Sequence, residues 1–443
     1  MRKIINIIFA CILLVSLNSC LFQEENIFSE SAAKRMNDAL DNDFKLLTSA
    51  PNGWVLDYFP TVEQEGYTFL MYFDESGYAR IAAKNRWFNN RYTQDTCLFR
   101  IIADNGPVLT FDTYNKVLHF FSNPEDLPQT DASNDPANDE GGRGLEGDYE
   151  FIIMEPETDN ILLKGKKRGV FMPMRRLAEN QDWTDYFKLL DEMNVALFVN
   201  GPQLQLTCND SLFTLTGGAS HIFKLVPNDG DPIADGVDVP FIVTDYGIRF
   251  VKPFEINDLS VQTFKLSDDK NSLICTNSNV DAKILGPNSA DFFFHVLNSN
   301  KNMAIMEGDE NMSPSVSTLY NTIKTSVESG GRTLNMISFS YHKTWKHSLL
   351  IRTSRGMSNA DGFISFTIEK ESANEISLSF NGFTGTFDPN GKRYYDNYNG
   401  ISDLIDLLNG KFTTTIAENQ LNPKNLKFTN VSNPNIWFNL LVK

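Results

Sequence analysis

Three polar stretches of the sequence carry aromatic rings beside amide and guanidinium groups. They read NRWFNNRY (85–92), SYHKTWKH (340–347) and GKRYYDNYNG (391–400). A flat ring can stack on the apolar face of a sugar while its neighbours bond the hydroxyls, and Trp, Tyr and Arg also dominate contacts with peptides and proteins. The stretches therefore predict loops that bind a glycan or a peptide. The candidate residues are Trp87, Tyr92, Tyr341, Trp345, Tyr394, Tyr395 and Tyr398.

The alternative for these rings is a structural role, in which they close the ends of folded modules as part of the core. Phe88 lies beside Trp87 and is the ring best suited to that role. Trp54 and Trp437 lie within strand-like runs, and we predict that both are core residues.

Two patterns resemble metal sites in part. His342 and His347 are separated by four residues, a spacing that matches neither one face of a helix nor one face of a strand. Asp131, Ser133 and Asp135 follow the first positions of a calcium loop, but the next residue is proline where such a loop needs glycine. We therefore predict no bound metal.

The motifs of common enzyme classes do not occur. The sequence has no GxSxG elbow, no phosphate-binding glycine loop, no HExxH and no dinucleotide fingerprint. A glycosidase needs two carboxyl groups that converge only in space, and a chance pair is expected among 56 acidic residues. We predict a protein that is not an enzyme and carries no cofactor, with a carboxylate-pair glycosidase as the open alternative.

The start of the chain predicts an export signal that ends in a lipid attachment site. A basic beginning precedes an almost wholly apolar run (4–17), and Leu17-Asn18-Ser19-Cys20 resembles a lipobox. The apolar run is shorter than the roughly 20 residues of a membrane-spanning helix. We expect residues 1–19 to be removed, Cys20 to be acylated and residues 20–30 to form a tether. The alternative is a secretory signal with an incidental cysteine.

Acylation of Cys20 would hold the chain at a membrane. Each buried methylene contributes about 0.8 kcal/mol, and two or more acyl chains anchor stably. Leu21 stands in place of the aspartate that retains lipoproteins at the inner membrane, and Gln23-Glu24-Glu25 resembles the acidic export signal of Bacteroidota surface lipoproteins. The predicted location is the outer membrane, facing outward.

The excess of acidic residues argues against some classes of binding partner. There are 56 acidic and 39 basic residues, so the formal charge is −17, and it becomes −19 once Arg2 and Lys3 leave with the signal. Nucleic-acid binding needs a basic face, so we expect no nucleic-acid partner.

Three cysteines remain beyond the signal and Cys20, namely Cys97, Cys208 and Cys275. An odd number argues against a complete disulfide framework. All three lie in strand-like runs, where we expect them to be small buried hydrophobic residues.

Hydrophobic periodicity predicts three helices and many short strands. Apolar residues at steps of three and four predict helices over 33–47, 182–193 and 315–327, and Ser31 could cap the first. Short runs rich in β-branched and aromatic residues, bounded by Gly, Asp, Asn or Pro, are typical of antiparallel strands. These runs include KVLHFF (116–121) and VALFVN (195–200).

We predict a mostly β protein of two tandem antiparallel modules, sandwich or barrel-like, each with one or two accessory helices. The N-terminal module spans residues 31–280 and the C-terminal module residues 281–443. The acidic stretches 123–147 and 227–240 are expected to be solvated loops, because neither can bury enough apolar surface to offset the entropy of ordering.

A weak internal repeat supports a duplicated module. Phe151 aligns with Phe366 and Phe213 with Phe428, both at an offset of 215 residues. The alternative is that alternating β sequences always align with one another in part.

Four segments of the chain resemble a known family. They are KLLTSAPNGWVLDYFP (45–60), GPVLTFDTYNKVLHFFSNP (106–124), GLEGDYEFIIM (144–154) and ILLKGKKRG (161–169). They are similar to a Bacteroidota lipoprotein family known as domain of unknown function 4302. The resemblance implies an outer-membrane lipoprotein that is often encoded beside TonB-dependent nutrient-uptake systems. The family has no established activity, so no catalytic residue carries over.

The expected outer-membrane location and the aromatic loops together predict a non-catalytic module that captures a glycan or peptide for a TonB-dependent uptake complex. The lipid anchor is expected to be its contact with the membrane. The alternative is a structural or interaction lipoprotein that scaffolds a neighbouring transporter or adhesin. Binding of a small ligand separates the first function from the second.

Overall fold

The fold was analysed in a computed structural model of the 443-residue chain. The residues that the structure describes are 30–123, 145–198, 201, 203–228, 236–343, 346–383, 389–416 and 420–443. The expected signal, Cys20, Trp345, most of the acidic stretch 123–147, half of the stretch 227–240 and the calcium-like pattern lie outside them. The prediction of a loop over 227–240 is wrong at both ends of that stretch, because Pro227 ends one strand and residues 237–240 begin the next. Among the described helices, none is long and apolar enough to cross a membrane.

The described strands form three closed antiparallel barrels of eight strands each. In the first barrel, β1–β8 are Trp54–Tyr58, Tyr67–Phe73, Tyr78–Ala83, Thr93–Ala103, Pro107–Phe111, Glu150–Pro156, Asn160–Gly165 and Phe171–Arg176. In the second, β9–β16 are Leu204–Cys208, Ser211–Thr216, Ile222–Pro227, Val237–Val243, Gly247–Ile256, Leu259–Leu266, Ser272–Cys275 and Ala282–Leu285. In the third, β17–β24 are Met303–Ile305, Thr333–His342, Lys346–Arg355, Ser358–Ser372, Glu375–Phe380, Gly410–Ile416, Asn425–Asn430 and Trp437–Val442.

Each barrel closes because its first strand pairs on both sides. In the first barrel, Trp54 lies opposite Met71 of β2 and opposite Arg176 of β8. Closure leaves no sheet edge with unpaired backbone groups. Along most strands every second side chain points inward, and an interior of eight strands is just wide enough to be filled by side chains. Each barrel accordingly encloses its own cluster of buried apolar residues.

Six α-helices occur in the described part of the chain. These helices, α1–α6, are Ala32–Thr48, Trp183–Phe198, Ser289–Asn298, Pro314–Ser329, Pro389–Asn397 and Ile401–Leu408. The predicted helix at 33–47 is confirmed as α1, and Ser31 caps it by accepting a hydrogen bond from the Lys34 amide at 3.2 Å. The predicted helices at 182–193 and 315–327 are confirmed as α2 and α4.

Helix α2 connects the first two barrels. Tyr186 and Phe187 pack against Val55 and Leu70 on the outer face of the first barrel, so β1 is buried on both of its faces. At the other end of the helix, Phe198 lies in the core of the second barrel, 5.3 Å from the ring of Phe241. The run VALFVN was predicted as a strand, but residues 195–198 continue α2 because its last turn faces this core.

The predicted fold class is confirmed as mostly β and antiparallel, but the number of modules is three, not two. The predicted N-terminal module, 31–280, holds the first barrel and all but the last strand of the second. The boundary at 280/281 falls before β16, which pairs with both β9 and β15. Sequence reasoning missed this because strand pairing around a barrel joins distant residues.

The repeat at an offset of 215 residues does not relate equivalent strands. Phe151 lies in β6 of the first barrel and Phe213 in β10 of the second, whereas their partners Phe366 and Phe428 both lie in the third. The alignment therefore reflects the alternation common to β strands.

Two further local predictions were wrong and one is confirmed. The run KVLHFF is a turn followed by a short 3-10 helix, His119–Phe121, because Phe121 folds back into the barrel core. The stretch GKRYYDNYNG is mostly helix α5 instead of a loop. Cys97, Cys208 and Cys275 are buried and free, as predicted.

The contact between the first two barrels, here called the seam, continues the core of the first. Ile242 and Val251 of the second barrel belong to the first barrel's apolar cluster. The Gly66 amide donates a hydrogen bond across the seam to the Phe241 carbonyl at 3.0 Å. A Cβ on Gly66 would lie 2.5 Å from the Cβ of Ile242 and 2.6 Å from the ring of Phe59, so only glycine permits this approach.

Buried charges also meet at the seam. Asp57 of β1 is almost fully buried, and it interacts with Arg249 of the second barrel and Arg175 of the first. Burial raises the pKa of Asp57, and the two positive charges oppose that rise. Arg175 also bonds Asp245 of the second barrel at 2.5 Å. The third barrel reaches the second through Leu421, which is buried in the second barrel's core.

We predict that Gly66→Ala destabilises the protein by about 1–3 kcal/mol, because the added methyl group overpacks the seam. The midpoint of urea unfolding should fall relative to the wild type. Ser76→Ala, in an exposed turn of the same barrel, serves as the control and should leave the midpoint unchanged. An unchanged midpoint for Gly66→Ala would show that the barrels do not approach as closely as described.

Candidate functional site

A cavity of about 240 Å³ opens where the first barrel, helix α2 and the second barrel meet. We call it the cleft. Its walls carry polar groups from all three elements, including Glu65 and Asn85 from the first barrel, Asn194 from α2 and His221 from the second barrel. The cleft exists because the seam brings these distant parts of the chain together.

Glu65 is the central charge of the cleft. It immediately precedes Gly66 and β2, and the close approach at the seam leaves it only 8% exposed. Its carboxylate accepts a hydrogen bond from the Tyr67 hydroxyl at 2.8 Å, forms an ion pair with Arg86 at 2.6 Å and lies 3.2 Å from Nδ1 of His221. Burial acts to raise the pKa of Glu65, but the His221 hydrogen bond, the positive charges and the Tyr67 hydroxyl outweigh it and lower the pKa.

Trp87 is linked to Glu65 by hydrogen bonds through Tyr67. Its indole Nε1 donates to the Tyr67 hydroxyl at 2.8 Å, and that hydroxyl donates to Glu65. Burial and the nearby carboxylate raise the pKa of Tyr67, so it stays a neutral donor. The Arg86 guanidinium lies 4.9 Å from the centre of the indole ring, within cation–π range.

His221 bridges the three walls of the cleft. It follows a short 3-10 turn in the second barrel, with a left-handed backbone at φ 56°. Its Nδ1 lies 3.2 Å from Glu65, and its Nε2 lies 2.9 Å from Oδ1 of Asn194 on α2. The imidazole thus links the first barrel, the second barrel and the helix.

Asn85 holds a buried donor in the wall of the cleft. Its Oδ1 accepts from the Trp87 amide at 3.0 Å and caps the 3-10 helix Arg86–Phe88. Its Nδ2 is buried and has no hydrogen-bond partner in the described structure. A buried polar group without a partner costs about 1–3 kcal/mol, and the residue that carries this donor lines the cleft.

The rim carries charges of both signs. Lys84 and Asp191 form an ion pair between the first barrel and α2, and the Arg86 side chain is 59% exposed. Both oxygens of Glu65 are already engaged by donors. The arrangement is suited to hold a polar ligand. Within the described residues, no group of three or more His, Cys, Asp or Glu side chains could hold a metal ion.

The structure does not bring the sequence-predicted aromatic residues together. Trp87 is half-buried and reaches the cleft only through Tyr67. Tyr92 lies on the α2 side of the first barrel, where its ring meets Phe187 at 5.9 Å and its hydroxyl donates to Gln94 at 2.7 Å. Phe88 packs against the first barrel's core, and Trp54 is fully buried, as predicted. The prediction for Trp437 is wrong, because this residue is only half-buried and its ring lies 4.3 Å from the Lys427 ammonium.

The remaining described candidates lie on the third barrel. Tyr394 is fully buried on α5, so it cannot touch a ligand in this conformation. Tyr398 packs on Tyr394, and Tyr395 packs on Phe380 and Phe383. Tyr341 is half-buried, with its ring 5.5 Å from that of His347. Trp345 lies outside the described residues.

Sequence reasoning missed Glu65, Asn85, Asn194 and His221. Glu65 and His221 are far apart in the chain and have no motif spacing that could link them. The one usable local signal was Asn85 as the first residue of the aromatic stretch, since asparagine is a favoured capping residue.

We predict that Glu65→Gln destabilises the protein by about 1–3 kcal/mol at pH 7, because three donors lose a charged acceptor. The lowered pKa means that Glu65 stabilises the fold above its ordinary pKa, and that this contribution is lost as the pH falls through the lowered value. The difference between variant and wild type, from urea unfolding, should therefore shrink between pH 7 and about pH 3. Glu63→Gln, at an exposed position, is the control. If Glu65→Gln does not lower the free energy of unfolding at pH 7, or lowers it equally at every pH, the role assigned to Glu65 is contradicted.

The solved structures that match this chain are very distant from it. The beta subunit from DNA polymerase of Streptococcus pyogenes is 8% identical, with 90% of this chain and 96% of that chain covered and a TM-score of 0.13. DNA polymerase III subunit beta from Borrelia burgdorferi is 10% identical, with 92% and 96% covered and a TM-score of 0.12. The DNA polymerase sliding clamp from Caulobacter crescentus is 10% identical, with 92% and 97% covered and a TM-score of 0.13. Likeness at this level supports no conclusion about this chain.

A family comparison is more informative than these structures. No curated protein matches the chain. Residues 24–268, more than half of the sequence, match the family described as domain of unknown function DUF4302. The matched region spans the first barrel, α2 and the second barrel through β14, and it contains every residue that lines the cleft. The chain therefore belongs to the DUF4302 family.

Proposed function

We propose that this protein is an outer-membrane surface lipoprotein that binds a glycan or a peptide without catalysis, for a TonB-dependent uptake system. The cleft binds one portion of that glycan or peptide. The observation that carries this proposal is the buried Asn85 donor, which has no partner in the described structure and stands in the wall of a polar cavity.

The size and charge of the cleft support a small polar group as its occupant. Drug-sized ligands occupy about 300–1,000 Å³, and the cleft has about 240 Å³. One sugar ring or one residue of a peptide fits that space. Such a group can accept from Asn85 and Arg86 while its own donors meet Asp191 at the rim.

Binding is favoured over catalysis by the way Glu65 is held. A general base or nucleophile meets the reacting atom with a carboxylate lone pair, and three protein donors already take most of the roughly four lone-pair positions of Glu65. The network instead fixes the wall of the cleft before a ligand arrives, which lowers the entropy cost of binding.

The location in this proposal rests on the sequence. A lipobox-like stretch ends in Cys20, an acidic stretch follows it, and the family resemblance implies an outer-membrane lipoprotein. A strongly acidic chain has little affinity of its own for anionic lipid, so the acyl chains supply the attachment.

The binding proposal predicts that Asn85→Asp weakens ligand binding at least ~10-fold, because the substitution keeps the capping Oδ1 and replaces the buried donor by an acceptor. The soluble chain that begins at Gln23 is titrated calorimetrically against glycan and peptide panels. Asn359→Asp, an exposed site on the third barrel with the same change of charge, is the matched control.

Equal ligand affinities for the wild type and Asn85→Asp would show that the ligand does not bind in the cleft. Absence of any ligand in both panels, together with co-purification of a transporter or adhesin, would favour the scaffold function.

The anchoring proposal predicts that cells grown with labelled palmitate yield labelled protein in the membrane fraction, and that Cys20→Ala abolishes the label. Cys11→Ala, within the expected signal, is the control and should keep it. Unlabelled wild-type protein in the soluble fraction would overturn the assigned location.

A further inference from the structure

A stack of three rings lies on the outside of the first barrel, away from the cleft. The centre of the His119 ring is 5.1 Å from that of Tyr114 and 5.0 Å from that of Tyr149. Tyr114 is 55% exposed and Tyr149 is 42% exposed, and neither ring belongs to an apolar core cluster. The plane of the His119 ring is inclined by 33° to that of Tyr114 and by 29° to that of Tyr149, so the three rings are roughly parallel.

A hydrogen bond from Asn115 fixes His119, the central ring of the stack. The Asn115 amide donates to Nδ1 of His119 at 3.0 Å. Asn115 is fully buried, and its Oδ1 accepts from the amides of Val117 and Leu118, each at 3.0 Å. Burial lowers the pKa of His119, so the imidazole is neutral at pH 7 and presents its flat face to Tyr149. Tyr149 is thus presented in one orientation before any ligand arrives.

A cavity of about 530 Å³ lies beside Tyr149, which forms part of its wall. The other walls come from the start of β6 and from the turn between β7 and β8. Lys166 pairs with Glu150 at 3.2 Å and with Asp104 at 2.9 Å. Arg168 pairs with Glu146 at 3.0 Å.

The charges of this cavity are balanced. Asp148 accepts from the backbone amides of Lys167 and Arg168 at 2.8 and 2.9 Å, so the turn is also tied to a carboxylate. A phosphate or an acidic peptide would meet three carboxylates, and a cation would meet Lys166, Lys167 and Arg168. A neutral ligand with many hydroxyl groups meets donors and acceptors in similar number.

We propose that Tyr149 and this cavity form a binding site for a neutral oligosaccharide, with one sugar ring stacked on Tyr149 and its hydroxyls bonded to the paired charges. The inference rests on the proposed function and deepens it, because it names the ligand class and adds a second site. The cavity has more than twice the volume of the cleft, so it accommodates more than one sugar ring.

Affinity electrophoresis of the soluble chain from Gln23 tests the site. Gels contain starch, arabinoxylan, galactomannan or laminarin, all neutral, or the acidic polysaccharide pectate. The wild type should be retarded by at least one neutral polysaccharide. Tyr149→Ala should weaken that binding at least 10-fold, whereas Tyr149→Phe should retain it within about threefold because the stacking face remains. Tyr78→Ala, an exposed tyrosine elsewhere on the same barrel, is the matched control.

The outcomes separate this site from the cleft. Binding that Tyr149→Ala leaves unchanged, or retardation by pectate alone, overturns the inference. If Asn85→Asp abolishes the same binding while Tyr149→Ala does not, the cleft keeps its proposed function and the second site is refuted. No retardation in any neutral gel overturns the second site, and a peptide that still binds the cleft preserves the first proposal. Thermal unfolding of each variant confirms that the fold is retained.

Discussion

The structure depends on the contact that fixes the first barrel against the second. At its centre Asp57 and Arg249 are buried and Arg175 is partly buried beside them, and one nitrogen of each guanidinium has no hydrogen-bond partner in the described structure. Such a cluster is a poor source of net stability, because desolvation offsets most of the attraction between the charges. Its effect is selective, because any other pairing of the two barrel surfaces would separate Asp57 of the first barrel from Arg249 of the second. The apolar contacts of Ile242 and Val251 supply the burial that holds the arrangement together.

The cleft follows from that contact. Gly66 allows the two backbones to approach, and the residue before it, Glu65, is thereby enclosed beside His221. Neither residue would be part of a cavity in an isolated barrel. The family match covers both barrels and the helix between them as far as β14, which is consistent with one unit built around the cleft. The third barrel lies outside the matched region, and the proposed sugar site on Tyr149 lies inside it.

The sequence predicted those features that depend on neighbouring residues. Helix α1 follows from its apolar spacing and the Ser31 cap, and the buried cysteines follow from the strand-like runs around them. The number of barrels could not be predicted, because closure depends on pairs such as Trp54 with Arg176 that no local pattern marks. Tyr394 was predicted as a loop residue because Gly and Asn surround it, yet packing draws it into the core. The cleft could not be predicted because its charged groups meet only after both barrels have formed.

Hydrogen exchange at the Gly66 amide tests the central claim most directly, since this amide donates across the contact between the barrels. If the two barrels form one cooperative unit, Gly66 exchanges only when that unit opens, with the same opening free energy as the amides in the middle of β2. Exchange at Gly66 that is orders of magnitude faster than in β2, under native conditions, would show that the barrels separate independently. A fixed cleft between them would then be contradicted.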